Sequence, residues 1–508
     1  MRKWLPLITV CLGTFMLLID VTIVNTALPR MVIDLHASFA SLQWVVDAYA
    51  LTLAALVLGT GTIADRVGHR KAYIAGLALF AASSFVCGVS PNSGVLVAAR
   101  AVQGVGAAAM FATTFALLNS NYTGRDRGTA YGMWGAVAGA SAAIGPIIGG
   151  LLTQGLSWRW IFFVNLPVSV IAILLCVRTL KDVHDPLKAR IDIWGMFTFS
   201  AAAGAATYAM IRANDDGWSN GVTWFMLGAC AVLVAVFIAI ERRTEHAMLD
   251  LELMKRRSFV GVLIAGVLLT FAAFAAFTYV SIWLQSVLGM SPIESGLVGL
   301  PMSAMAFIVS ASIGRFLHGD NSGRIIGIGL LFIGAGGLIG ALLTHGTATW
   351  TALAPGFLVI GIGVGLATPT LGSAAMSAVP PQRGGMAAGA VNTARQLGFA
   401  FGIAALGSVF TARAQAVLAD RGVPASAGVA RAVAGGRGAE LIHRAPAAAR
   451  RAASDGIHAA AVAGVQGTLA TAGAVGVCAG FLVLYLVRKP RSAAPSEVSP
   501  QPAPSGTR

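Results

Sequence analysis

The sequence predicts an all-α polytopic membrane protein of fourteen transmembrane helices with both termini on the inner side. Three observations predict it. The chain is 56% hydrophobic and only 11% charged over 508 residues, with a mean hydropathy of +0.78, whereas about a quarter of a soluble domain is charged. Apolar runs of about 20 residues, enough for a helix to cross the bilayer, recur along almost the whole length. Lysine and arginine gather between alternate runs, as in cytoplasmic loops. The runs are too long, and too poor in two-residue alternation, for a membrane β-barrel.

The first run, 5–28, follows Arg2 and Lys3 in the manner of a signal peptide. It is long enough to span and carries Asp20, so it reads as a retained first helix. Runs 44–64, 72–90, 94–119, 129–154 and 160–178 follow at short intervals. Two more, 193–211 and 222–240, hold no charge, and six others cover 259–287, 294–314, 325–344, 351–378, 387–411 and 460–487. Segment 412–459 is rich in alanine, glycine and arginine without a run long enough to cross, and reads as an outside loop, helical in part. The tail 488–508, with Pro490, Pro495, Pro500, Pro502 and Pro504 among serines, reads as a disordered inner end.

Orientation follows from the same charges. The short outward loops hold only Arg30, Arg159 and Arg212 of the 35 lysines and arginines. The arginines of 412–459 run against this bias, but long loops are largely exempt from it. The net charge of +15 therefore reflects topology, and without a basic face interleaved with aromatics nucleic acid is excluded as a partner. Cys11, Cys87, Cys176, Cys230 and Cys478 all lie in apolar segments. There they read as small packing residues rather than as a disulfide framework or a zinc site.

Four charges fall clearly inside the spans: Asp20, Asp47, Arg100 and Arg395. A charge at mid-bilayer costs about 2.5–3.5 kcal/mol on insertion scales, so each should face protein or a wet cavity. The competing reading is a helix-end charge reaching the interface, strongest for Asp47, three residues after Trp44. A buried carboxylate can carry a proton, because burial favours its neutral form and a nearby arginine its charged form. Asp20 is the first candidate for that role and Asp47 the second.

The loop between the second and third spans reads Gly61-Thr62-Ile63-Ala64-Asp65-Arg66-Val67-Gly68-His69-Arg70-Lys71. Two glycines permit a tight turn, the cations hold it at the inner surface, and Asp65 can pair with a base or dock at a helix N-terminus, where the dipole favours a carboxylate. This string resembles the loop 2–3 signature of the major facilitator superfamily. Arg100-Ala101-Val102-Gln103-Gly104 resembles its arginine-bearing fourth-helix motif. Gly145-Pro146, followed by Gly149 and Gly150, is similar to the fifth-helix motif of its antiporters. Asp20 to Pro29 with Asn25, Trp158 to Pro167 with Asn165, and Asn392 to Gly398 with Arg395 and Gln396 resemble segments of its fourteen-helix drug–proton antiporters. The likeness covers residues 1–411. Two departures stand out: the loop 314–324 lacks an Asp-Arg-x-Gly core, and His69 stands where the family often has arginine. No role is attached to His69.

The resemblance implies two six-helix halves, 1–192 and 242–487, with two additional helices in 193–241, working by alternating access. It implies proton coupling through Asp20 and Arg100, with Asp47 as second acid. It further implies an inner gate of Gly61, Asp65, Arg66, Gly68, Arg70 and Lys71, and control of the fifth helix by Gly145, Pro146, Gly149 and Gly150. Asn25, Gln103, Arg395 and Gln396 are pathway candidates. The partners expected are protons, lipid and a small organic molecule, drug-like or a self-made metabolite, handled by a monomer with the proton gradient in place of a cofactor. The two intramembrane acids suit a cationic, amphipathic substrate. Uptake of a small solute by symport is the rival reading. A membrane enzyme is disfavoured, since the chain has neither an H-E-x-x-H pair nor a nucleotide-binding G-x-x-x-x-G-K-[ST] string.

Overall fold

A computed structural model describes residues 2–37, 39–181, 192–215, 217–244, 249, 251–313, 321–346, 348–379 and 383–487, and every regular element among them is helical. The long helices are α1 (Leu5–Asp34), α2 (Phe39–Val67), α3 (His69–Gly88), α4 (Ser93–Asn121) and α5 (Gly124–Gly155). They continue as α6 (Trp160–Thr179), α7 (Ile193–Asp215), α8 (Gly221–Glu241), α9 (Arg257–Val287) and α10 (Pro292–Val298 with Leu300–Ile313). The last four are α11 (Ser322–Leu343), α12 (Ala354–Ser377), α13 (Gly384–Asp420) and α14 (Arg450–Leu486).

All fourteen apolar segments are thus helical. Among the described residues eleven helices are long and apolar enough to cross a membrane, or twelve if α10, bent by 47° between its pieces, is one span. Helix α7, of 23 residues, is not among the eleven. More than half of α7 is alanine, glycine, serine or threonine, residues that let helices approach closely but contribute little apolar surface.

The ends of the helices follow local chemistry. The Asn92 side chain accepts from the Val95 amide and so caps α4, and Asn220 does the same for α8, each satisfying an amide the helix leaves open. Ser291 and Glu294 close a reciprocal capping box at the start of α10. Gly68 joins α2 to α3 at φ 111°, a left-handed backbone that glycine adopts without strain.

In the N-terminal group α4 packs on α2 and α3, while α1 packs on α5 and α6. In the C-terminal group α11 lies between α12 and α14, α10 packs on α12, and α13 on α9 and α14. The groups meet where α2 and α4 face α13, and where α5 faces α10 and α12. Helices α7 and α8 pair together, and α7 lies along the seam between α2 and α13. Tyr208 of α7 reaches the Trp44 ring at 5.8 Å, and the Trp218 indole beyond α7 donates to Ser408 of α13 at 2.6 Å.

Segment 412–459 is helical in large part. Helix α13 runs on to Asp420, α14 begins at Arg450, and short helices Ser426–Ala434 and Gly438–Arg444 fill the gap. Alanine has the highest helix propensity, so helix continues here without a spanning run of apolar residues. The tail 488–508 and residues 314–320 of the loop before α11 lie outside the described residues.

Candidate functional site

Asp20, the acid of the first span, is buried near the middle of α1. Its Oδ2 accepts from Arg100 Nη1 at 2.5 Å, and its Oδ1 accepts from Gln103 Nε2 at 3.2 Å and from Asn165 Nδ2 at 3.1 Å. Arg100 and Gln103 are three residues apart and share one face of α4. The same Nη1 donates to Gln103 Oε1 at 2.7 Å, and Arg100 Nε donates to the Val45 carbonyl of α2 at 2.9 Å. Ser84 of α3 accepts from both Gln103 (2.6 Å) and Asn165 (3.1 Å). The guanidinium carbon stands 4.2 Å from the centre of the Tyr49 ring, a cation–π contact strengthened by exclusion of water. Five helices therefore meet at one buried ion pair.

This arrangement has definite chemical content. Three side chains, those of Arg100, Gln103 and Asn165, donate to the Asp20 carboxylate. Neutralising Asp20 would leave the Arg100 charge buried without its partner, which low-dielectric surroundings oppose. Arg100 Nη2 and the Tyr49 hydroxyl are buried without a hydrogen-bond partner, so the network has unused capacity next to the pair.

The loop motif forms a second centre at one end of the seam. Asp65 Oδ1 and Oδ2 accept from the backbone amides of Gly385 (2.6 Å) and Met386 (2.8 Å), the first residues of α13. A carboxylate here satisfies open amides and faces the positive end of the helix dipole. His69 Nε2 lies 2.8 Å from Asp65 Oδ1, and its ring is buried. Gly61 meets Gly385 backbone to backbone, and a side chain on either would collide with the other's carbonyl. Arg70 Nη1 donates to the Leu180 carbonyl at 3.3 Å, while Arg66 and Lys71 are exposed. On α13 every residue from 384 to 394 is buried, and accessibility begins at Arg395 and Gln396. The seam is closed at this end over about 16 Å, at 1.5 Å per helical residue.

Helix α5 touches both groups. Gly145 lies against Thr22 of α1, two residues from Asp20, with no room for a side chain, while Gly139 faces Ala306 and Gly150 faces Ile293, both of α10. Gly149 is buried. The side chains of Pro146 and Asn25 lie outside the described residues. Asp47 is half-buried and two residues from Val45, hence on another face of α2. On α13, Asn392 donates to the Phe111 carbonyl of α4 at 3.1 Å, and the Arg395 guanidinium stands 5.9 Å from the Phe111 ring.

The structure thus brings Asp20, Arg100 and Gln103 together and sets Asp65 with Gly61 in a separate centre. Sequence reasoning missed Ser84, Tyr49 and His69, and gave Asn165 no role although it lies in a quoted motif. The signal for Asn165 was available: an amide inside an apolar run needs a polar partner.

Comparison with known proteins decides the family. Residues 10–403 match the model of the Major Facilitator Superfamily. The chain belongs to that superfamily. It is a multi-span membrane transporter rather than an enzyme. The superfamily relatives include the multidrug resistance protein Stp of Mycobacterium tuberculosis (strain CDC 1551 / Oshkosh), 35% identical over 83% of this chain and 79% of that protein. The puromycin resistance protein pur8 of Streptomyces alboniger is 34% identical over 84% of this chain and 86% of its own length. The tetracenomycin C resistance and export protein of Streptomyces glaucescens is 30% identical over 100% of this chain and 95% of its own. Among solved structures, the human organic anion transporter MFSD10 superposes with a TM-score of 0.60 over 95% of this chain and 99% of that one, at 14% identity. That likeness concerns the superfamily fold alone.

Proposed function

We propose that this chain exports drug-like or antibiotic organic molecules in exchange for protons, with Asp20 as the proton carrier and both termini inside across fourteen spans. The observation that carries the coupling is the sealed Asp20–Arg100 pair with its ring of donors. Export is supported by relatives whose names record multidrug, puromycin and tetracenomycin resistance. Two of those names specify one antibiotic, which favours a narrow, self-protective substrate range as the second reading.

The mechanism follows from the contacts. With the α2–α13 end closed, the pathway opens toward the other side, which is the outside in this orientation. A proton arriving there neutralises Asp20, removes the partner of Arg100 and loosens the contacts among α1, α3, α4 and α6. Because α5 rests on α1 at Gly145 and on α10 at Gly139 and Gly150, a shift of α1 is passed to the seam. The Asp65 latch then yields, the inner end opens, and substrate binds as the proton leaves. One proton moving inward down about 100 mV supplies about 2.3 kcal/mol, and each pH unit about 1.4 kcal/mol more.

The test is a resistance panel in a pump-deficient host expressing the chain, repeated with a protonophore. Resistance that disappears with the gradient supports the reading. Resistance that survives collapse of the gradient, or raised cellular uptake of the compound, contradicts it.

A further inference from the structure

Two arginines within the bundle live in opposite circumstances, Arg100 fully buried and Arg395 partly accessible. Arg100 has a carboxylate, an amide oxygen, a backbone carbonyl and an aromatic face. Arg395 has the Phe111 ring at 5.9 Å, and among the described residues no carboxylate, carbonyl or hydroxyl accepts from its guanidinium; its Nε is buried without a partner. One turn before it on the same face, Asn392 gives its amide hydrogen to Phe111 but leaves its Oδ1 buried and unpaired, and the neighbouring Thr393 hydroxyl is likewise unpaired. Both side chains are more than nine-tenths buried. An unmet cation and two unmet polar atoms within two turns of α13 are costly in low-dielectric surroundings unless a partner arrives.

The position says what kind of partner. Residues 384–394 of α13 are buried in the closed seam, and Arg395 with Gln396 are the first accessible side chains beyond it, which on the transporter reading is where a pathway between the two groups would begin. Asp20 is consumed by Arg100 and presents no free charge to a cation, so the cationic substrate expected from the intramembrane acids finds no counterion there. The free charge on the pathway is positive.

Resting on the transporter reading above, we propose that Arg395, with Asn392 and Thr393 beside it, binds an anionic group of the transported molecule: a carboxylate, a phenolate or an acidic enol on an aromatic or polycyclic body. The planar guanidinium supplies a fork of donors suited to such an oxygen pair, Asn392 and Thr393 supply groups for adjoining hydroxyls or carbonyls, and Phe111 supplies an apolar wall.

The experiment uses purified full-length protein in lipid nanodiscs, with fluorescein and rhodamine 123 as xanthene probes of like size and opposite charge. Binding is read as the concentration-dependent rise in melting temperature. Fluorescein should stabilise the wild type, and Arg395→Gln should raise the concentration required at least tenfold, with Arg395→Lys intermediate. Without probe, Arg395→Gln should melt at or above the wild-type temperature, because it removes an uncompensated charge. Three results would overturn the proposal: fluorescein binding unchanged in Arg395→Gln; a wild type that prefers rhodamine 123 or binds neither probe; or Arg395→Gln and Arg395→Lys both melting well below wild type, which would make the arginine structural. Probe binding needs no gradient, so failure here is distinguishable from failure of proton coupling, which only gradient-driven transport reports.

Discussion

Replacing Asp65 by asparagine tests the closed seam quantitatively. The carboxylate meets the Gly385 amide at 2.6 Å and the Met386 amide at 2.8 Å. Asparagine keeps one acceptor oxygen but turns an NH2 group toward the other amide, so one charge-assisted hydrogen bond is lost, about 1.5–3 kcal/mol. Loss of the charge at the start of α13 removes about 0.3–1 kcal/mol more. The closed form therefore weakens by roughly 2–4 kcal/mol, and the balance between closed and open ends moves about 30- to 700-fold. The reporter is a single cysteine at Ala388, which is fully buried in the plug, in a chain whose five native cysteines have been replaced. Its alkylation by a water-soluble maleimide should accelerate in Asp65→Asn and further in Asp65→Ala, where both amides lose their acceptor. Equal labelling rates in all three proteins would refute the latch and the magnitude drawn from it.

Two further outcomes follow from the same contacts. Gly61→Ala places a methyl group against the Gly385 carbonyl, so the seam cannot close fully; Ala388 labelling should rise and transport fall at least tenfold at unchanged membrane abundance. Arg100→Ala leaves Asp20 buried with its charge unmet and should cost about 3–5 kcal/mol, read as a lowered melting temperature. The double change Asp20→Asn with Arg100→Gln should recover much of that loss, since neither charge remains.

The sequence carried the plan of the molecule better than its contacts. Long apolar runs became helices because backbone groups in lipid must bond within the segment. Asp20, Arg100 and Gln103 were legible as charges and an amide in apolar surroundings. Ser84, one of two adjacent serines in α3, was not, because the face it turns to Asn165 depends on packing. The burial of His69 was not legible: its partner Asp65, four residues away, itself docks on Gly385, 320 residues further along the chain. The same distance hid which helix end the Asp65 carboxylate would meet, although a helix N-terminus was one of the two partners its chemistry allowed.

Gradient-driven transport by Asp20→Asn in proteoliposomes, measured beside substrate exchange at zero gradient, addresses the coupling claim most directly. If the acid in α1 carries the proton, this variant exchanges substrate across the bilayer yet accumulates none when a pH gradient is imposed. Accumulation at the wild-type rate and pH dependence would show that the proton travels by another group, and the role given to the Asp20–Arg100 pair would have to be abandoned.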